Sequence, residues 1–135
     1  MSTRPVLTDQ QASEKAQKLF NDIRRTRETD YVNNFWRCLA NDPAQASELW
    51  SRLQQVMQPG ALDPLVKELV YIAVSTANGC NYCIHSHTAA ARAKGMSSEQ
   101  HSELLQVIAM ASATNALANA LQVPVDDCFD EADAG

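Results

Sequence analysis

The chain has 135 residues, 45% of them hydrophobic and 20% charged, with a formal net charge of −5. That length suits one domain with its own core, and the acidic balance speaks against a nucleic-acid partner, which a basic surface would have to attract. The start, MSTRPVLTDQQ, lacks the pattern of a signal peptide, and no apolar run approaches the roughly 18 residues that span a bilayer, so a cytoplasmic protein without a membrane partner is expected.

Residues 1–8 read as an irregular arm. Ala12, Ala16, Leu19, Phe20 and Ile23 then fall at helical spacing, which predicts a helix over about 9–27 with Thr8 or Asp9 as its N-cap. Its basic end, Arg24, Arg25 and Arg27, is followed by Glu28 and Asp30 and reads as a solvated helix terminus. A short apolar helix is expected between Tyr31 and Leu39, where Trp36 and Cys38 are read as core residues. Asp42-Pro43 and Asp63-Pro64 each combine a capping side chain with a proline suited to the first turn. They open helices over about 43–57, which includes Trp50 as a core residue, and 64–77. Gln58-Pro59-Gly60 and Asn78-Gly79 stop them.

A fifth helix starts at or just before Cys80 and ends at Gly95. Ser97-x-x-Gln100 has the form of a capping box and opens the longest helix, about 98–122, which Pro124 closes. That last helix has more apolar length than one small domain readily covers, so self-association is expected. Residues 124–135 are acidic and poor in apolar side chains, and a mobile tail with a free Cys128 is expected. The sum is a single all-α domain of about six helices.

The reactive side chains concentrate between Glu68 and Gly95. Each helical residue advances about 100°, so Cys80, Cys83 and His87 share one stripe, continued by Ala90, Ala91 and Lys94, while His85 points away. Backbone N–H groups and the dipole at a helix start favour a thiolate at Cys80. An imidazole at His87 is placed to accept the Cys83 proton, and Glu68, at the border of the apolar stripe of the preceding helix, is a carboxylate that could orient it. Burial beside an alanine-rich seam is expected to raise the Glu68 pKa. Zinc is the rival use of such residues. Structural zinc takes four ligands, however, and one helix face offers three at most here, without a second C-x-x-C, so no metal is expected. No glycine-rich phosphate loop occurs, so no nucleotide or flavin cofactor is implied.

Glu68, eleven residues, Cys80-x-x-Cys83-x-x-x-His87 and a helix stop at Gly95 resemble the core motif of the AhpD-like alkylhydroperoxidases, within the carboxymuconolactone decarboxylase superfamily. The motif covers residues 68–95, and the flanking helices fit that fold over roughly 15–125. The resemblance implies an all-helical homo-oligomer, a hexamer or trimer, that reduces hydroperoxides. Its only redox group would be a disulfide that forms and breaks between Cys80 and Cys83. By the same resemblance Cys83 is the peroxidatic cysteine, Cys80 resolves it, and Glu68 with His87 relays the proton. The electrons would come from a dithiol reductant such as a lipoyl-bearing or thioredoxin-like protein. One departure concerns Tyr82, also assigned to the site: the best-known members carry a histidine there, and a phenol with a reference pKa of about 10 is a poor proton acceptor. Two other functions compete, a non-enzymatic redox sensor and a lactone decarboxylase-like enzyme. His85 and His101 read as surface or interface residues, and Asn115 and Asn119 as either interface or solvent-facing.

Overall fold

The computed structural model describes residues 1–129. Among them the chain is all-α, in the order α1 Glu14–Arg27, α2 Asn34–Leu39, α3 Pro43–Met57, α4 Pro64–Ala77, α5 Asn81–Ala93 and α6 Ser98–Leu121, followed by a 3-10 turn at Asp127–Phe129. The end of the acidic tail, 130–135, to which the expectation of mobility also applied, lies outside the described residues. The helices gather into two compact units, Met1–Gln58 and the part from Pro59 onward.

In the first unit α3 packs against both α1 and α2. Its core contains Leu19, Phe20, Ile23, Val32, Trp36 and Trp50, with the two indoles edge to face at 5.3 Å. Trp50 Nε1 donates to Asp22 Oδ2 at 2.7 Å, so the buried ring keeps its one polar atom paired. Helix α1 starts at Glu14 rather than near residue 9, because Ser13 Oγ is the side chain that accepts from the Ala16 amide. Thr8 caps only a separate turn, and Asp9 is held by Arg24 and Arg37. Burial raises the Asp9 carboxyl, but hydrogen bonds from the two guanidinium groups outweigh it and hold the group below its ordinary value. The basic end of α1 is thus not simply solvated. Arg24 is committed to Asp9 and to the Asp30 carbonyl, and Arg27 lies over the Trp50 ring. Cys38 is half-buried, with Ser2 Oγ 3.3 Å from its sulfur, and is not part of the core expected for it. The irregular arm is tied down as well: Arg37 Nη1 donates to the Leu7 carbonyl and Asn41 Nδ2 to that of Pro5.

In the second unit α4 packs against α5 and α6 around Ile72, Ala91 and Met96, with Leu65, Leu69, Leu104 and Ile108 completing the cluster. Asp63 and Ser97 cap α4 and α6 as their sequence signatures predict, the latter in a full capping box with Gln100. Helix α6 buries none of its 24 residues: Leu105, Val107, Met110, Leu117 and Leu121 are each at least half exposed, and Asn115 and Asn119 are exposed. It is also long and apolar enough on average to cross a membrane, although it holds no unbroken apolar run of that length. Gln106, Ser112, Thr114, Asn115 and Asn119 interrupt its apolar surface.

Two helix ends place the site. At the end of α4 the Gly79 amide bonds to the Thr76 carbonyl and the Cys80 amide to that of Ser75, a Schellman pair that Gly79 permits by its φ of 69°. Cys80 therefore closes α4 with its amide and caps α5 with its sulfur. The end of α5 repeats the pattern: Gly95 bonds to the Arg92 carbonyl and Met96 to that of Ala91, with Met96 turned into the core beside Ala91. A Cβ at Gly79 would meet no atom within 4 Å, so the demand there is on the backbone and not on space. Gly79→Ala is expected to cost about 1 kcal/mol in equilibrium denaturation, and Gly79→Asn less; equal stability of the alanine variant and the parent would contradict this account of the turn.

Candidate active site

The site is built from α4, α5 and the turn between them. Glu68 lies on α4 with only 3% of its surface exposed, so its carboxylate must be satisfied by protein groups. One partner comes from α5 and the other is the residue that caps its C-terminal end. Oε2 is 2.7 Å from His87 Nδ1, and Oε1 accepts from Lys94 Nζ at 2.5 Å. Burial raises the Glu68 carboxyl, yet the hydrogen bonds from His87 and Lys94, together with the charges behind them, more than offset this and leave it below its ordinary value. The sequence-based expectation of a raised pKa is thereby reversed. It followed from burial alone and did not include a second cation.

An ionised carboxylate only accepts hydrogen bonds, so the short contact makes His87 Nδ1 the donor. In the neutral ring Nε2 then carries the lone pair and is free to take a proton. Tyr71, one turn after Glu68 on α4, stacks its ring on the imidazole at 3.5 Å between centroids and 19° between planes. His87 is thus fixed at one edge by a carboxylate and on one face by an aromatic ring.

Cys83 lies one turn before His87 on the same helix, as the spacing predicts. Its sulfur is joined to that of Cys80 in a disulfide, with the two Cα atoms 5.3 Å apart. Cys80 Sγ also accepts from the Cys83 amide at 3.2 Å, which makes Cys80 the N-cap of α5. Both cysteines are half-buried and so open to small reactants. Tyr82, between them, is 41% exposed, and His85 is exposed, off the stripe that carries Cys83 and His87. His101, expected at the surface, is half-buried in the first turn of α6. Among the described residues no group of three or more His, Cys, Asp or Glu side chains is arranged to hold a metal ion.

The sequence profile of the carboxymuconolactone decarboxylase family matches residues 44–126, more than half of the chain. The chain belongs to the carboxymuconolactone decarboxylase family. Within that family it is AhpD-like. The crystal structure of the alkylhydroperoxidase AhpD core from Rhodospirillum rubrum superposes with a TM-score of 0.92 at 53% sequence identity, covering 96% of this chain and 97% of that one. An alkyl hydroperoxide reductase AhpD of Solibacter usitatus is 40% identical over 75 residues, 56% of this chain and 40% of that protein. An uncharacterized protein of Cupriavidus necator is 30% identical over 83 residues, 62% of this chain and 74% of that protein. The chain therefore spans well under half the length of the Solibacter reductase.

Two residues of this family member's site escaped the sequence reading in different ways. Tyr71 carries no motif, although a position three after Glu68 on a helix shares its face, and that spacing was the available signal. Lys94 was placed on the cysteine stripe, but nothing in the spacing said that its long side chain turns back to Glu68. Glu68→Gln replaces an acceptor of two charge-assisted hydrogen bonds with an amide that presents N–H groups to one of the donors. It is expected to lower stability at pH 7 by about 1–3 kcal/mol. Because the folded-state pKa of Glu68 lies below the unfolded one, its contribution is present above the ordinary carboxylate range and is lost as the pH falls through the lowered value. Denaturant melts of parent and variant should draw together as the pH falls below the ordinary carboxylate range, and a gap that widens with acid would contradict this assignment.

Proposed function

We propose that the protein is a thiol-dependent peroxidase that uses Cys80 and Cys83 to reduce hydroperoxides and is recharged by a dithiol. The observation that carries this is the cysteine pair at the N-terminus of α5, bonded as a disulfide, with His87 one turn further along the same helix and bonded to Glu68 of α4. The names of the Solibacter and Rhodospirillum relatives support the same chemistry.

In the reduced protein His87 takes the Cys83 proton, and the thiolate attacks the terminal oxygen of the hydroperoxide. The O–O bond breaks, the alcohol leaves with a proton, and Cys83 becomes a sulfenic acid. Cys80, its thiolate favoured by the helix N-terminus, then attacks the Cys83 sulfur and expels water, which gives the disulfide. A donor dithiol, lipoyl-bearing or thioredoxin-like, attacks Cys83 in that disulfide. Cys80 leaves as the stabilised thiolate, and the donor's second thiol then releases Cys83 and is itself oxidised. Tyr82 flanks the attacking sulfur and contacts the substrate or the donor without serving as the base.

Helix α6 and the exposed stripe Val66, Val70 and Val74 on α4 present more apolar surface than a soluble monomer usually leaves open, which supports a homo-oligomer, a trimer or hexamer. A light-scattering mass near three or six chains is expected, and a monomer at micromolar concentration would contradict it. Oxidation is not expected to change that mass; a change would favour the redox-sensor alternative.

The activity is tested by a panel of organic hydroperoxides and hydrogen peroxide with dithiothreitol or dihydrolipoamide as donor. Parent protein should consume peroxide, and Cys80→Ser and Cys83→Ser should each lose more than nine-tenths of the rate. No consumption by the parent with any pairing would overturn the proposal.

A further inference from the structure

Glu68 is shared between two donors, and only one of them belongs to the relay as usually drawn from a Glu, a His and a Cys. The other, Lys94, is seven residues after His87 and is the C-cap of α5, just past its last turn. Its backbone is fixed by the helix end, since its amide reaches the carbonyls of Ala90 and Ala91 and the next residue is the left-handed Gly95. From there the side chain runs back to α4 and delivers Nζ to Glu68 Oε1, while Oε2 is left to His87. The carboxylate is almost fully buried and Lys94 is 37% exposed, so the ion pair spans from the interior to the surface.

We infer that Lys94 is a positioning residue for the relay: by occupying Oε1 it keeps Glu68 ionised and oriented, so that His87 Nδ1 is held as a donor and Nε2 remains the base for Cys83. The inference deepens the peroxidase proposal and rests on it for the role of His87. Charge makes the argument. A buried carboxylate with imidazole as sole partner would favour binding a proton into the pair, on Glu68 or on the ring, and either location removes the base. The ammonium disfavours that proton wherever it would sit. The groups that bear electrostatically on Glu68 are His87 of α5 and Lys94 at its C-cap; α6, the other helix packed on α4, contributes no such group among the described residues. A lysine that only tied α5 to α4 would be replaceable by any side chain that packs there.

Lys94→Met, Lys94→Gln and Lys94→Arg distinguish the two roles. In oxidised protein, carboxyl-carbon NMR of Glu68 against pH should show its titration midpoint rising by about one unit or more in Lys94→Met and returning near the parent in Lys94→Arg. In reduced protein, the acid limb of Cys83 alkylation by iodoacetamide should move to higher pH in Lys94→Met and be restored by arginine. Lys94→Gln gives the same readings if the methionine variant does not fold. An unmoved Glu68 midpoint overturns the inference. So does a moved midpoint with an unmoved alkylation limb, which would leave Lys94 as a structural tie alone. Neither measurement involves peroxide, so a parent without peroxidase activity would contradict the proposed function and leave the charge relation to be decided by these readings.

Discussion

A carboxylate buried between two helices has to be paid for by its partners, and at Glu68 those partners are a side chain of α5 and the residue that caps its C-terminal end. His87 and Lys94 take one oxygen each, so the two hydrogen bonds lock the register of α5 on α4 as well as the protonation of the site. The alanines of α5 let the backbones approach closely enough for this. Ala91 is fully buried against Ile72, and the side chains that reach across from α5 are long or polar. The docking of α5 on α4 and the hydrogen bonding of the imidazole share one interaction here, so a change at Glu68 affects both.

The second constraint is the turn. Because Gly79 takes a left-handed conformation, α4 ends and α5 begins within three residues, and Cys80 serves both ends at once. Its sulfur is thereby fixed at the positive end of α5, where a thiolate is favoured, while Cys83 is carried one turn down toward His87. The two cysteines differ by position on the helix and not by type.

Much of this was legible in the chain. The Asp-Pro signatures at 42–43 and 63–64 fix the starts of α3 and α4 because a capping oxygen and a preset φ act locally, and both helices have the predicted bounds. The start of α1 was less legible. Thr8, Asp9 and Ser13 are all competent caps, and tertiary contacts decided among them by taking Asp9 for Arg24 and Arg37. For the site, helical spacing put Cys80, Cys83 and His87 on one face but had no access to contacts between helices. The sign of the Glu68 shift, the Tyr71 stack on His87 and the second partner of the carboxylate all depend on how α4 and α5 meet. The family motif carries Glu68, the two cysteines and His87 but says nothing of Lys94, whose side chain has to cross between helices to matter.

The order of attack at the cysteine pair is the centre of this account, and trapping of the sulfenic acid tests it most directly. Reduced Cys80→Ser and Cys83→Ser proteins, each treated with one equivalent of cumene hydroperoxide and then dimedone, are digested and mapped by mass spectrometry. The account predicts a dimedone adduct on Cys83 in Cys80→Ser, and far less on Cys80 in Cys83→Ser. A dominant adduct on Cys80 would contradict it and assign the attack to the helix cap.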